Sequence, residues 1–483
     1  MKGLSIMIGC IALALSVTSC DSFLEVRPKA EKVEEDLFSN AQGFEDAIYG
    51  VYGSMQQSSL YGRDLMWGVS EVLAQNLSCG SVMMKALAKY DYSGNDDLRN
   101  YLSAIWTTAY ATIGYANNVL KNLEGHSTKS LPLYNYYKGE MLAVRAMLHF
   151  DMLRLFAPIS TESTGIPYVT SYSYSVKSFR KVGEVYSLIL EDLLEAESLL
   201  AFEEDKIAYP HNNTYYNAFE NYRETHCNLY AVRALLARVY WMKGDMTNAA
   251  KYAENVINSK KFPLVDQTEV KDYLTGVLSP KETIFGLYSN TTSATAISYL
   301  YNFQSFYSYD PYYDGSGMNH LLPYTTLYEL DVNATTQDLR RSHFEPHTGY
   351  ARFLKLVDYY TAKDESRPIK GLIPGITLIH TSEMYLIAAE ALLEADYDKA
   401  LEYFDTEIAS RGLTPLSVRG VPLTKEIIYN EYHKELFGEG QVWFNMKRLN
   451  KDIISNLESR VIPASNSIYV VPIPEEEYEY RDE

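Results

Sequence analysis

The chain has 483 residues, a formal net charge of −19 and a composition that is 47% hydrophobic and 13% aromatic. That length and apolar content supply a sizeable core, and the acidic balance argues against nucleic acid or anionic headgroups as partners. Of its four cysteines, Cys10 and Cys20 fall in or just after an N-terminal leader, and the two that remain, Cys79 and Cys227, make no disulfide framework, so stability must come from packing.

Met1 to Ser19 carries one positive charge at Lys2, an apolar run from Leu4 to Val17, and small residues before Cys20, which reads as a secretory signal. Fourteen apolar-rich residues are too few to span a bilayer core of about 30 Å at about 1.5 Å per residue. Val17-Thr18-Ser19-Cys20 resembles the cleavage box of a bacterial lipoprotein, in which the cysteine becomes the first residue and carries the lipid, although Val17 stands where leucine is usual. The alternative leaves Cys20 an ordinary thiol. More than one acyl chain on Cys20 gives stable anchoring where a single chain does not. Loss of Lys2 with the leader moves the charge from −19 to −20, and loss of Cys10 leaves Cys79 and Cys227, whose pairing stays open. No later apolar stretch approaches eighteen residues, so the mature body is expected to sit on a membrane and not in it.

The expected organisation is a leader over 1–19, a lipidated N-terminus and tether over 20–39, a helical region over 40–262, and a second region over 263–483 that holds an aromatic insertion and the last repeat. Periodicity predicts helices over Asn40–Met55, Tyr101–Leu123, Tyr136–Phe156 and Val182–Leu200. Between Tyr61 and Leu98 it fades, and an irregular region with short helical pieces is expected. Glu140, Arg145, Asp151 and Arg154 stand within a very apolar helix, so they must be paired; interhelical salt bridging is the expectation, against an acid–base pair.

Asn228 to Phe262 reads as two helices reversed at Gly244-Asp245, with Ala231, Ala234 and Ala237 small enough for close approach. Met384 to Ile408 repeats the order, Ala395 and Ala400 standing 151 residues beyond Gly244 and Ala249. Each such hairpin needs a neighbour to cover its apolar flank. About a hundred and twenty residues are therefore inserted between two units that belong together.

No Gly-x-Ser-x-Gly elbow, His-Glu-x-x-His, Cys-x-x-Cys or Gly-rich phosphate loop occurs, and no cofactor or metal is expected. Asp91 to Asp97 has the look of a calcium loop but lacks its glycine at the sixth place, and Leu102 replaces the closing glutamate. Two distant carboxylates of a glycosidase leave no motif, so that class stays open. Tyr288 to Tyr328 holds eleven aromatics in 41 residues, interleaved with Ser, Thr, Asn and Gln. Tyrosine offers a flat face to sugar C–H groups and a hydroxyl to the rim. Tyr309, Tyr312 and Tyr313, beside Asp314 and with Asn319 near, are the candidate platform, while Tyr299, Tyr301 and Phe303 suit a satellite core. Trp67 is a second candidate platform.

The blocks FEDAIYGVYG, YANNVL, GEMLAVRAMLHFDMLRLFAPI, EVYSLILEDLLEA and ALLARVYWMKGDMTNAAKYAENVI, then LIHTSEMYLIAAEALLE, EYHKELFGEGQVWFNMKRL and YVVPIPEEEY, follow one another in order. In this the chain resembles the SusD/RagB family of outer-membrane lipoproteins, over nearly its whole length, with Asn445 where an aspartate is usual after Trp443-Phe444. The resemblance implies an all-α fold of about four tetratricopeptide-like hairpins with long irregular ligand-binding loops. It also implies a surface protein, lipid-anchored in the outer membrane, that binds glycans or in some members peptides and passes them to a TonB-dependent transporter of the SusC type. Members are not enzymes; a secreted hydrolase is the remaining alternative. The Trp443, Phe444, Lys447 and Arg448 block reads as packing and helix termination, and the ligand residues are not given by motif.

Overall fold

The computed structural model describes residues 34–77, 81–173, 175–211, 213–270, 276–301, 327–328, 338–347, 350–357, 371–455, 458 and 460–479. The leader, Cys20 and Cys79 lie outside the described residues. The fold is mostly helical, and no described helix is long and apolar enough to cross a membrane.

Helix α1 spans Ala41–Met55, and Asn40 caps it by accepting from the Gly43 N–H at 3.2 Å. Phe44, Ile48 and Val51 are buried on one side, which leaves Tyr49 on the other. Turns follow, with α2 at Val69–Leu73 and α3 at Val82–Ala88, so the region without periodicity is indeed short pieces. Helix α4 runs Asp96–Asn122. Its cap is Asn95, which accepts from Leu98 N–H at 2.9 Å, and Asp91 closes a turn on Gly94 N–H at 2.9 Å. The acidic run that looked like a cation loop is thus a helix start, with Asp96 and Asp97 at the positive end of the helix dipole.

Helix α5, Tyr134–Phe156, is buried almost all round. Arg145 and Glu140 find partners on other elements, as expected, whereas Asp151 and Arg154 pair within the helix itself. Arg145 donates to both oxygens of Asp192 at 2.7 Å on α6 (Val182–Leu200), Glu140 receives Arg223 at 2.7 Å, and Asp151 receives Arg154 and the Tyr61 hydroxyl, the latter at 2.5 Å.

The repeat hairpin is α7 (Leu229–Lys243) and α8 (Met246–Ser259), reversed at Gly244 with φ 86°. There glycine escapes the Cβ clash that a left-handed backbone imposes. Ala231, Ala234 and Ala237 are fully buried, as are Ala249 and Ala253 opposite. The second hairpin is α9 (Thr381–Leu392) and α10 (Tyr397–Ser410). Asp245 caps α8 through Asn248 N–H at 3.1 Å, and Asp396 caps α10 through Lys399 N–H at 3.2 Å, the same device at repeat-equivalent positions. Although distant in sequence, the hairpins stack: α8 packs on α9. Arg238 of α7 donates to both carboxylate oxygens of Glu383 at 2.8 and 2.5 Å, and Trp241 donates to Glu390 at 2.9 Å. Helices α11 (Lys425–Leu436) and α12 (Gln441–Arg448) close the C-terminal half. Trp443 and Phe444 are buried, and Lys447 donates to the carbonyls of Arg154 and Ala157 at 2.6 Å each. Asn445 accepts from Arg448, whose charge is matched instead by Glu390 at 2.7 Å.

The insertion adds strands to the expected all-helical plan. Strands β1 (Val277–Leu278) and β2 (Thr283–Tyr288) flank a longer strand, Ile373–His380, in an antiparallel sheet. Short apolar runs such as TIFGLY do not distinguish strand from helix by period. Two further two-stranded hairpins pair Phe344–His347 with Tyr350–Phe353 and Ile453–Ser455 with Arg460–Ile462. The sheet is pinned to the scaffold by Asn228, the cap of α7, whose side-chain amide donates to Ile284 O at 2.8 Å.

Candidate ligand-binding groove

A groove of about 540 Å³ opens where the end of α1, the turn before α7 and the ends of β2 and Ile373–His380 meet. Tyr49, Tyr222 and Tyr288 line it and are 43%, 50% and 50% exposed. Each comes from a different element. Tyr49 stands on the outer side of α1, and Tyr288 ends β2 opposite Gly375. A Cβ on Gly375 would lie 2.4 Å from Leu287 O, so only glycine lets the strands run this close beside Tyr288.

Tyr222 has φ 51° and ψ 46°, a left-handed backbone that is uncommon for a side chain of this size. Its N–H donates to Asn213 Oδ1 at 2.6 Å, while its carbonyl accepts from Thr225 N–H and hydroxyl at 2.8 Å each. Such strain persists only where the surroundings impose it, and it concentrates at functional positions.

Behind the rings lies a fixed polar floor. His226 Nδ1 meets Glu140 at 3.0 Å, and Tyr52 donates to Glu140 at 2.6 Å while accepting from Cys227 N–H at 2.9 Å. Burial works to raise the Glu140 pKa, yet Arg223 and His226 beside it hold the carboxyl below its usual range. Burial, and then the charge of Glu140, pushes the Tyr52 phenol well up. The Tyr49 phenol is pushed up to about 12 by burial, then by Glu140 and Glu45. The Tyr52 hydroxyl is thus spent on the floor, while the protonated Tyr49 phenol can both donate and accept, which suits a hydroxyl-rich ligand. Gln56 and Thr225 add neutral polar groups to the lining, while the Asn221 amide is taken up by the Tyr215 and Asn217 backbone.

Of the residues singled out from sequence, Tyr309, Tyr312, Tyr313, Asp314 and Asn319 lie outside the described residues, as does Phe303. Trp67 requires correction as an open platform. It is 0% exposed, its indole ring 6.0 Å from Tyr299, in the wall of a smaller cavity of about 50 Å³ with Lys355, His380 and Glu439. The turns from 56 to 68 fold over it, Trp67 N–H reaching back to Arg63 O at 2.9 Å. Tyr299 packs against the core as a satellite residue should. Cys227 is buried with a free thiol.

Sequence reasoning did not find Tyr49 or Tyr222, and found Tyr288 only as the first residue of the aromatic stretch. Tyr49 had a signal in its phase, since it falls off the apolar stripe of α1. Tyr222 had none.

Beside the smaller cavity, ligating atoms of Glu282, His380 and Glu435 lie within 4.8 Å of one another. The donor set does not suit a metal. Arg411 already donates to Glu282 at 2.9 and 2.8 Å and to Glu435 at 2.6 Å. Burial would lower the His380 pKa, but Glu439 at 2.9 Å and the neighbouring carboxylates push it up to about 10, and an imidazolium donates rather than ligates.

A family model described as starch-binding and associating with the outer membrane matches residues 22–241. A second, described as the SusD family, matches residues 203–459, more than half of the chain. The chain belongs to the SusD family. Among its relatives, SusD-like protein P2 of Formosa agariphila is 25% identical over 96% of this chain and 95% of that protein. A SusD superfamily protein of Bacteroides thetaiotaomicron superposes with a TM-score of 0.70 at 22% identity, covering 91% of this chain and 98% of that one. A laminarin-binding SusD-like protein superposes with a TM-score of 0.62 at 18% identity, covering 91% and 98%. At those identities the solved structures speak for the SusD fold, and the groove rests on this chain's own residues.

Proposed function

We propose that this SusD-family protein captures oligo- or polysaccharide at the cell surface and delivers it, without turnover, to a TonB-dependent transporter of the SusC type. The observation that carries the reading is the groove, with three exposed tyrosines from three elements around neutral hydrogen-bonding groups. Aromatic faces take sugar C–H surfaces while amide and hydroxyl groups take the rim. The name of the laminarin-binding relative in fold supports a glycan over a peptide. Tyr309, Tyr312, Tyr313, Asp314 and Asn319 follow Tyr288 in the chain and are proposed as further contacts to the same ligand. Lipid on Cys20 is proposed as the tether that holds the body to the outer membrane.

The test combines two measurements on the native lipoprotein. Incubation with laminarin and other polysaccharides is expected to retard migration without releasing new reducing ends. Purification from detergent-solubilised outer membranes is expected to bring down a much larger barrel protein, through an interface of more than about 1,000 Å². Sugar release overturns the binding role, and recovery of the chain alone overturns the partnership.

A further inference from the structure

We propose that the groove selects uncharged sugar chains and excludes those bearing uronate or sulfate, an inference that rests on the reading of the groove as a glycan site. Its described lining contains no lysine, arginine, aspartate or glutamate. A carboxylate or sulfate entering it would give up hydration and find there only His226, whose Nδ1 is already engaged by Glu140 at 3.0 Å, and an unpaired ion in a partly dry site is costly.

Arg223, which pairs with Glu140 behind the groove, is already committed. It donates to Glu140 and to Glu203 at 2.7 Å each, lies 4.5 Å over the Tyr136 ring, and is 8% exposed. Recognition of an acidic sugar ordinarily uses a free guanidinium in a bidentate pair, and Arg223 has given its fork to two glutamates. The local field points the same way. Three carboxylates, Glu140, Glu45 and Asp46, act on the Tyr49 hydroxyl against the single guanidinium of Arg223. An anionic ring stacked on Tyr49 would therefore be repelled from behind as well as unpaired in front. A neutral ring pays neither cost and still finds the Tyr49 hydroxyl, the Gln56 amide and the Thr225 hydroxyl oxygen for its rim.

The test is calorimetric titration of the full chain with four polymers: laminarin and galactomannan as neutral probes, alginate and polygalacturonate as acidic ones. Each is run at about 0.15 M and about 0.5 M salt, because overall repulsion by the acidic protein acts through a screening length of about 8 Å at the lower value and less at the higher. Binding of a neutral probe at least about tenfold tighter than of either acidic probe, at both salts, is the expected result. Gln56→Lys, which sets a cation in the lining, is expected to tighten acidic binding by roughly tenfold, the worth of one charge-assisted hydrogen bond, while Gln56→Glu is not. Acidic probes that match the neutral ones overturn the inference. So does exclusion that vanishes at high salt, since it would then belong to the whole protein's charge and not to the groove. Binding of none of the four is a different failure, which removes the glycan reading and this inference with it.

Discussion

The stacking of two repeats across a long insertion is tested most sharply at Arg238. Its side chain is 2% exposed and that of Glu383 is 0% exposed, and their double contact joins α7 of the first hairpin to α9 of the second. Arg238→Met keeps the apolar stem but leaves Glu383 a buried charge with the Tyr432 hydroxyl as its remaining partner at 3.1 Å. Removing one member of a buried pair costs about 3 to 5 kcal/mol. The roughly 460 residues left after signal removal, at about 2.1 cal/mol/K each, give an unfolding entropy near 1 kcal/mol/K, so Tm should fall by about 3 to 5 °C if the body melts as one unit. Adding Glu383→Gln removes the stranded charge while its amide can still accept from Tyr432 and donate to Leu378 O, which Arg238 reaches at 3.1 Å. The double variant should recover to within about 2 kcal/mol of the parent. Calorimetry on the parent, both single variants and the double closes the cycle. A Tm for Arg238→Met within about 1 °C of the parent would refute the claim that this pair ties the repeats together.

Two further predictions bear on the scaffold. Ala237→Phe should overpack the α7–α8 contact and cost about 1 to 3 kcal/mol, read as a lower Tm; no change would mean the helices do not meet at Ala237. Glu439→Gln should cost about 3 kcal/mol near pH 5.5, with a pH dependence set by its partner. The Glu439 pKa is lowered to about 2, against burial, by His380 and Lys355, so its contribution is full above the ordinary glutamate range of about 4.3 and is lost as pH falls through about 2. His380 is raised to about 10, so its share is full below about 6.5 and is lost as pH rises through about 10. The Tm gap between parent and variant should therefore be widest between about pH 4.3 and 6.5 and should narrow on going to about pH 9; a gap that widens there contradicts the pairing.

The scaffold was legible because its signals are local. Apolar phase placed α1, α5 and α6 to within a few residues, Gly244 announced the reversal, and Asp245 with Asp396 repeated one cap at one spacing. The rule that buried charge must be paired anticipated Arg145 with an acidic partner, though not that the partner would be Asp192 on α6. The sheet was not legible, because β2 and Ile373–His380 are brief apolar runs joined across about ninety residues, and nothing local specifies that pairing. The groove was harder still. Its rings come from three places far apart in sequence, and exposure, which separates Tyr49 from Trp67, is a property of the folded chain. Trp67 was a reasonable candidate by residue type, but the turns around it make it core.

The central claim is that Tyr49, Tyr222 and Tyr288 form a sugar-binding surface. Good ring contacts contribute on the order of 0.5 to 1.5 kcal/mol each, so the triple alanine variant should bind laminarin, or whichever neutral glycan the parent binds, at least about tenfold more weakly. Because all three rings are about half exposed, the fold should lose little stability; exposed substitutions away from special features usually shift it by less than about 0.5 kcal/mol each. Calorimetric titration and thermal melting of the same variant decide it. Weakened binding with Tm nearly unchanged is the predicted result, and parental affinity in a folded triple variant would contradict the account.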